Sequence, residues 1–294
     1  MAEGAASRLT FFSKKDLECP VDGTKFHRED LLSGRGRLIA GNLTIEMRRR
    51  YEPSQKYGEV FPLIYPVTVC PGCYFSALPQ DFTQPPSSAV DALDENADTR
   101  ISSIQHLFQE LDFHEPRTLR EGVASYFFAI MCYDFFPKEL SPVIKQGICA
   151  LRAAWLCSDL HRQSPEDNFD YLGKVFYRKA HFFYNLALEY EESGKQSITD
   201  VPNLGPDMDQ NYGYDGVLYL ASYLELHHGP RNDAEKRGIS LQKAKTTSAR
   251  LFGMGKASKQ KPSAILDKAK DLYGVIGKEL EEEDEEEADG GPQH

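Results

Sequence analysis

"FDYLGKVFYRKAHFFYNLALEY", Phe169 to Tyr190, places Phe169, Leu172, Phe176, Ala180, Phe183, Ala187 and Tyr190 three or four residues apart. That is the spacing of one helix face, held for about six turns at 3.6 residues per turn. The remaining positions are rich in Asp, Lys, Arg and Asn, so the stretch predicts an amphipathic helix packed on a core. The same spacing recurs on both sides. Ile101, Ile104, Phe108 and Leu111 predict an earlier helix, and Ile144, Ile148, Leu151 and Trp155 another. Val217, Leu220 and Leu224 predict one downstream, and Ile265, Ala269, Leu272 and Ile276 the last.

Punctuation supports these periods. Ser141-Pro142 and Ser164-Pro165 each set a capping residue before a proline suited to the first helical position. Asp167 follows Ser164 by three, where an acid favours a helix start. Gly194 and Gly229-Pro230 predict helix stops. Four to seven helices with short connections predict stacked antiparallel pairs, as in helical solenoids. "KAHFFYNLALEYEESG" has the Ala and aromatic spacing of a tetratricopeptide helix, although no clean repeat of about 34 residues is visible.

Before residue 80 the pattern is different. "RLIAGNLTIEM" and "EVFPLIYPVTVC" are β-branched and aromatic runs broken by Gly and Pro, which predicts short strands. "LPQDFTQPPSS", Leu78 to Ser88, reads as a linker. The expected class is α+β, mostly α. A β module (1–80) is followed by a linker (81–88), a helical domain (89–278) and an acidic tail (279–294).

Charge is unevenly spread. The 294 residues carry −11 at pH 7, but Glu279 to Asp289 alone holds nine acids and no base, leaving about −2 elsewhere. The tail is too charged to bury and is expected to be disordered beyond its first turn. Lys236 to Lys261 holds eight Lys or Arg and no acid. A near-neutral body argues against a nucleic-acid binder. "YFFAIMCYDFF", the longest strongly apolar run, is about half the roughly 20 residues a membrane span needs. "MAEGAASRLT" lacks the apolar run of a secretory signal. A cytoplasmic location is therefore expected.

The six cysteines fall into two groups. Cys132, Cys149 and Cys157 sit among apolar residues and read as buried hydrophobes. Cys70 and Cys73, in "VTVCPGCYFSA", form a C-x-x-C half-site, and half a site holds no metal. The other half lies 51 residues upstream in "LECPVDGTKFH". There Cys19-Pro20-Val21-Asp22-Gly23 follows the knuckle pattern C-P-x-C-G, with Asp22 in place of the second cysteine. Zinc accepts thiolate and carboxylate in tetrahedral sites, though a carboxylate holds it less tightly. The expected ligands are Cys19, Asp22, Cys70 and Cys73, with His27 as the other candidate for the fourth place. A folded knuckle without metal and a redox pair are the alternatives. The proline-rich continuation after Cys73 is unlike the helix that usually follows a redox C-x-x-C.

The order "ECPVDGTKF … YEPSQKYGEVFPLIYPVTVCPGCYFSA", followed by a helical region, resembles the bacterial family known as domain of unknown function 2225. The resemblance extends from about Leu9 to Leu280. It implies two knuckles joined by an Arg- and Tyr-containing spacer, then a tetratricopeptide-like half, with Cys19, Cys70 and Cys73 as ligands. The chain departs from the family at Asp22, usually Cys, and at Tyr74, often Gly. The family has no assigned activity.

Other motifs are weaker. "MRRRYEPSQKY" clusters Arg48, Arg49 and Arg50, which could meet phosphate or form a solvated strand edge. "LFGMGKASKQK" fails the phosphate-loop pattern, with Arg250 at the first glycine and Ala257 at the Ser or Thr. His227 and His228 read as a helix C-terminus. No catalytic residue set emerges. Two functions are carried forward. One is a scaffold stapled by one zinc that binds another, unidentified protein. The alternative is a zinc-dependent hydrolase whose three-cysteine site leaves a position open for water. Glu18 and His27 are the only nearby acid-base candidates.

Overall fold

Strands occupy the N-terminal quarter and helices the rest. The computed structural model describes residues 9–252 and 263–289. Its strands are β1 (Thr10–Phe12), β2 (Leu17–Glu18), β3 (Lys25–Phe26), β4 (Glu29–Leu31), β5 (Ile39–Leu43), β6 (Arg49–Glu52), β7 (Thr68–Val69) and β8 (Ser76–Ala77). They pair as four antiparallel two-stranded ribbons: β1 with β4, β2 with β3, β5 with β6, and β7 with β8. A ribbon of two short strands is marginal alone, so these strands must lean on something larger.

The support is helical. Among the described residues the helices are α1 (Pro79–Thr83), α2 (Ser87–Glu95), α3 (Ala97–Gln105), α4 (Leu119–Tyr133), α5 (Pro142–Gln163), α6 (Phe169–Glu192), α7 (Gly213–His228), α8 (Ala234–Phe252) and α9 (Ser263–Asp289). Helices α4 to α9 run up and down. Gln146 of α5 bonds the Ile130 carbonyl of α4, while Gly122 near the start of α4 lies against Leu156 near the end of α5. Gly147 of α5 lies against Tyr184, and Gly173 against Cys157, so α5 and α6 are also antiparallel. Tyr177 stacks on His228 and His181 bonds Glu225, which gives α6 and α7 the same relation. A Cβ on Gly147 would come within 2.9 Å of the Tyr184 ring. Glycine there lets the two helices approach.

One apolar core runs through strands and helices, from Cys19 and Phe26 to Leu272 and Ile276. The β module therefore shares its interior with the helices rather than having its own. A 3-10 turn at Pro62–Ile64 presses Ile64 onto α4, where a Cβ on Gly122 would sit 2.6 Å from Ile64 Cγ2. The β5–β6 hairpin drives its tip into the helices. There Met47 is wholly buried with φ +60°. The Glu46 carboxylate accepts from Trp155, Tyr177 (2.8 Å) and Tyr223 (3.2 Å) on α5, α6 and α7.

Several details differ from the sequence expectation. The 81–88 segment is not a bare linker: it contains most of α1 and the start of α2, and Phe82 of α1 is wholly buried, stacked on Phe75 at 4.9 Å. Helix α3 stops at Gln105, before Phe108 and Leu111, although Phe108 is buried. Ser164 ends α5 instead of starting the next helix, and α6 begins after Asn168. Pro142 does open α5, but the Ser141 hydroxyl donates to the Ser197 carbonyl instead of capping. Helix α8 covers the first part of the basic segment, from Lys236 to Phe252. Helix α9 continues through the acidic stretch as far as Asp289, where disorder was expected beyond the first turn of the tail. Residues 253–262 of the basic segment and 290–294 of the tail lie outside the described residues.

Candidate metal centre

Two tight turns carry the site, and they have the same construction. In the β2–β3 turn the Cys19 N–H donates to the Thr24 carbonyl (2.8 Å) and the Gly23 N–H to the Cys19 carbonyl (2.9 Å). In the β7–β8 turn Cys70 bonds Phe75 (2.9 Å) and Tyr74 bonds Cys70 (3.0 Å) in the same pattern. The fifth residue of each turn is left-handed, Gly23 at φ +74° and Tyr74 at φ +56°. Glycine meets that requirement freely. Tyr74 instead gains a ring packed at 5.6 Å from Phe113 and 4.8 Å from Phe128. Cys19 matches Cys70 in this construction, and Asp22 matches Cys73.

The turns face each other. Donor atoms of Cys19, Asp22, Cys70 and Cys73 all lie within 4.8 Å of one another. The three thiols are free and buried. Cys19 Sγ is 3.8 Å from Cys73 Sγ. Cys70 Sγ is 3.5 and 3.6 Å from the two Asp22 carboxylate oxygens. Zinc–sulfur bonds of about 2.3 Å and zinc–oxygen bonds of about 2.0–2.2 Å, at tetrahedral angles, require edges of about 3.8 and about 3.6 Å. The Cys19–Cys73 and Cys70–Asp22 edges match these values, and the four donors lie close enough to hold a metal ion.

His27 is not part of the group. Its ring faces Asp16 at 3.4 Å and is half exposed. Glu18 faces Lys25 across the β2–β3 ribbon.

The family model described as "Uncharacterized protein conserved in bacteria (DUF2225)" matches residues 12–276. The chain belongs to this family. An uncharacterized protein of Borreliella burgdorferi is 42% identical over 274 residues, covering 93% of this chain and 98% of the other. No solved structure matches.

Neighbouring groups in this DUF2225 member prepare the donors. The Thr24 N–H and hydroxyl donate to the Asp22 carboxylate at 3.0 and 2.8 Å. Burial raises the Asp22 pKa, but these bonds outweigh it and hold the carboxyl below its ordinary value. Gly72 donates its N–H to Cys70 Sγ at 3.3 Å. A Cβ on Gly72 would lie 2.6 Å from Asp22 Oδ2 and 2.5 Å from Thr24 Oγ1. Cys70, which receives hydrogen bonds from the Cys19 and Cys73 thiols, is lowered to about 4. Cys19 is pushed well above the ordinary thiol range by its bonds to Cys70 and Cys73 and by burial. Cys73 is lowered by its bond to Cys19, yet its bond to Cys70 and burial push it up to about 12. A bound cation would displace the remaining thiol protons.

Arg100 of α3 adds charge from behind. It is wholly buried. Its guanidinium donates to the Cys73 carbonyl at 3.2 and 3.0 Å and to the Leu93 carbonyl at 2.6 Å. No carboxylate pairs with it among the described residues. A buried cation is costly without compensation, and the anionic donor set lies one residue away. Thr24, Gly72 and Arg100 were missed at the sequence level. Thr24 and Gly72 adjoin knuckle positions and had a local signal, whereas Arg100 had none.

The remaining sequence candidates serve structure. Cys132, Cys149 and Cys157 are wholly buried, and burial pushes Cys132 up to about 11 and Cys149 up to about 12. In the Arg48–Arg50 run each guanidinium has a carboxylate partner, although Arg50 remains exposed. Arg48 is buried against Asp159 and the Trp155 carbonyl. Arg49 bonds Asp209 at 2.8 Å and Arg50 bonds Asp159 at 3.0 Å. His227 and His228 end α7, with Gly229 following. Most of "LFGMGKASKQK" lies outside the described residues.

Proposed function

We propose that this chain is a non-enzymatic scaffold in which one zinc ion staples a zinc-ribbon-like β module to an antiparallel, tetratricopeptide-like helical array that binds another protein. The observation carrying this reading is the convergence of four donors at distances suited to a tetrahedral zinc ion. Cys19, Asp22, Cys70 and Cys73 would hold the ion, which would cross-link two turns that bury little core of their own. Asp22 supports a closed structural site over an open hydrolytic one. Thr24 holds its carboxylate beside Cys70, and the other acid-base candidates, His27 and Glu18, face Asp16 and Lys25 instead. No helix among the described residues is long and apolar enough to cross a membrane.

The test is elemental analysis of protein purified without added metal. The expected result is about one zinc per chain, lost when Cys70 and Cys73 are both replaced by Ser. Neither zinc nor iron above background would overturn the staple.

A further inference from the structure

A cleft of about 1740 Å³ opens between α6, α7 and α8, away from the cysteine site. Its volume exceeds the roughly 300–1,000 Å³ of most small-molecule pockets and suits a polypeptide segment. Charge along it is uneven. Lys174, Arg178 and Arg231 gather at the end where α7 terminates, with Lys243 and Arg250 further along. The cleft's glutamates are Glu189 and Glu192 at the far end of α6, and Glu225. Glu225 is already taken by His181 at 2.6 Å and Arg237 at 3.4 Å. Arg178, Lys243 and Arg250 have no carboxylate within ion-pair distance among the described residues. The cleft wall also presents apolar surface, including Phe182, which is 57% exposed.

The chain itself shows what chemistry this end accepts. Glu279, the first acid of the C-terminal run, bonds Arg231, which lines the cleft, at 3.1 Å, and the buried Arg237 at 3.4 Å. We infer that the α6–α7–α8 cleft is the docking groove for an acidic segment of a partner protein. Carboxylates meet Arg178, Lys243 and Arg250, and apolar flanking residues cover Phe182. This rests on the scaffold reading and names its surface and partner class. Clustered Arg and Lys beside an exposed aromatic are the usual means of holding acidic motifs.

The experiment uses the full chain and a fluorescein-labelled peptide copying residues 279–294 as the acidic probe. Anisotropy should rise saturably at about 50 mM salt and weaken steeply by about 500 mM, as screening predicts. Arg178→Glu with Lys243→Glu, both exposed positions, should weaken binding at least tenfold. Lys15→Glu, exposed and on the β module, should leave it unchanged. A probe with its acids changed to Gln should not bind. Absence of saturable binding would overturn the inference, as would equal binding of the Gln probe or equal losses from the double variant and Lys15→Glu. Zinc content and melting temperature, measured on the same variants, report separately on the scaffold. A failed groove with a normal staple is thus distinguishable from a failed scaffold.

Discussion

Asp22 is the residue at which this site departs from an all-cysteine knuckle. Its carboxylate is held by Thr24 and faces Cys70. Thiolate binds zinc more strongly than carboxylate does, so Asp22→Cys should raise zinc affinity, measured by competition with a chromogenic chelator. Asp22→Ala should lower it, and no change in either variant would remove Asp22 from the ligand set. Trp155 is a second decisive residue, 2% exposed, with its indole N–H on Glu46 and the Arg48 guanidinium 5.7 Å from its ring. Trp155→Ala should cost about 3–5 kcal/mol and lower the thermal midpoint by several degrees in a calorimetric scan. The knuckle cysteines were legible because C-P-x-C spacing is local and glycine marks the turn. Arg100 and Glu46 were not, because their partners lie far away in sequence and a lone charged residue carries no periodicity.

At the scale of elements, the long amphipathic helices were readable and the evenly apolar one was not. Helix α6 alternates faces, whereas α4 is buried almost all round, so its sequence shows an apolar run without a period. Helix α8 was hidden by its composition, since Ala244 and Ser248 share its buried face with Leu241 and Leu251. The end of α7 makes its own prediction. His228 stacks on Tyr177 at 4.1 Å, and burial, with smaller contributions from nearby His and Arg, lowers its pKa to about 4. In the unfolded chain the value is about 6.5. Between these values the unfolded state binds the extra proton, so this contribution is complete above about pH 6.5 and is lost as pH falls towards 4. Urea midpoints measured from pH 7.5 to 4.5 should decline, and His228→Gln should flatten part of that decline. An unaltered slope would mean that His228 protonates freely in the folded state.

For the whole molecule, the shared core sets the cooperativity. The N-terminal strands and the helices pack into one interior, so removing metal should not melt an isolated module. Chelation should shift a single calorimetric transition to lower temperature, because a ligand that binds only the folded state stabilises the entire cooperative unit. Two resolved transitions after chelation would show that the β module unfolds alone. The change from strands to helices was readable as a change of period near residue 80. Their common interior was not, because packing between distant segments leaves no trace in local spacing.

The β5–β6 tip also bears on how the chain is made. Glu46 and Arg48 take their partners from residues 155 to 223. A ribosome delivers the N-terminus first, at roughly 5–20 residues per second. At that pace about 9–35 s pass between synthesis of Glu46 and of Tyr223. During that interval the hairpin tip has water, or a chaperone, in place of its native partners. The β5–β6 tip can therefore reach its final arrangement only after α5, α6 and most of α7 have left the exit tunnel.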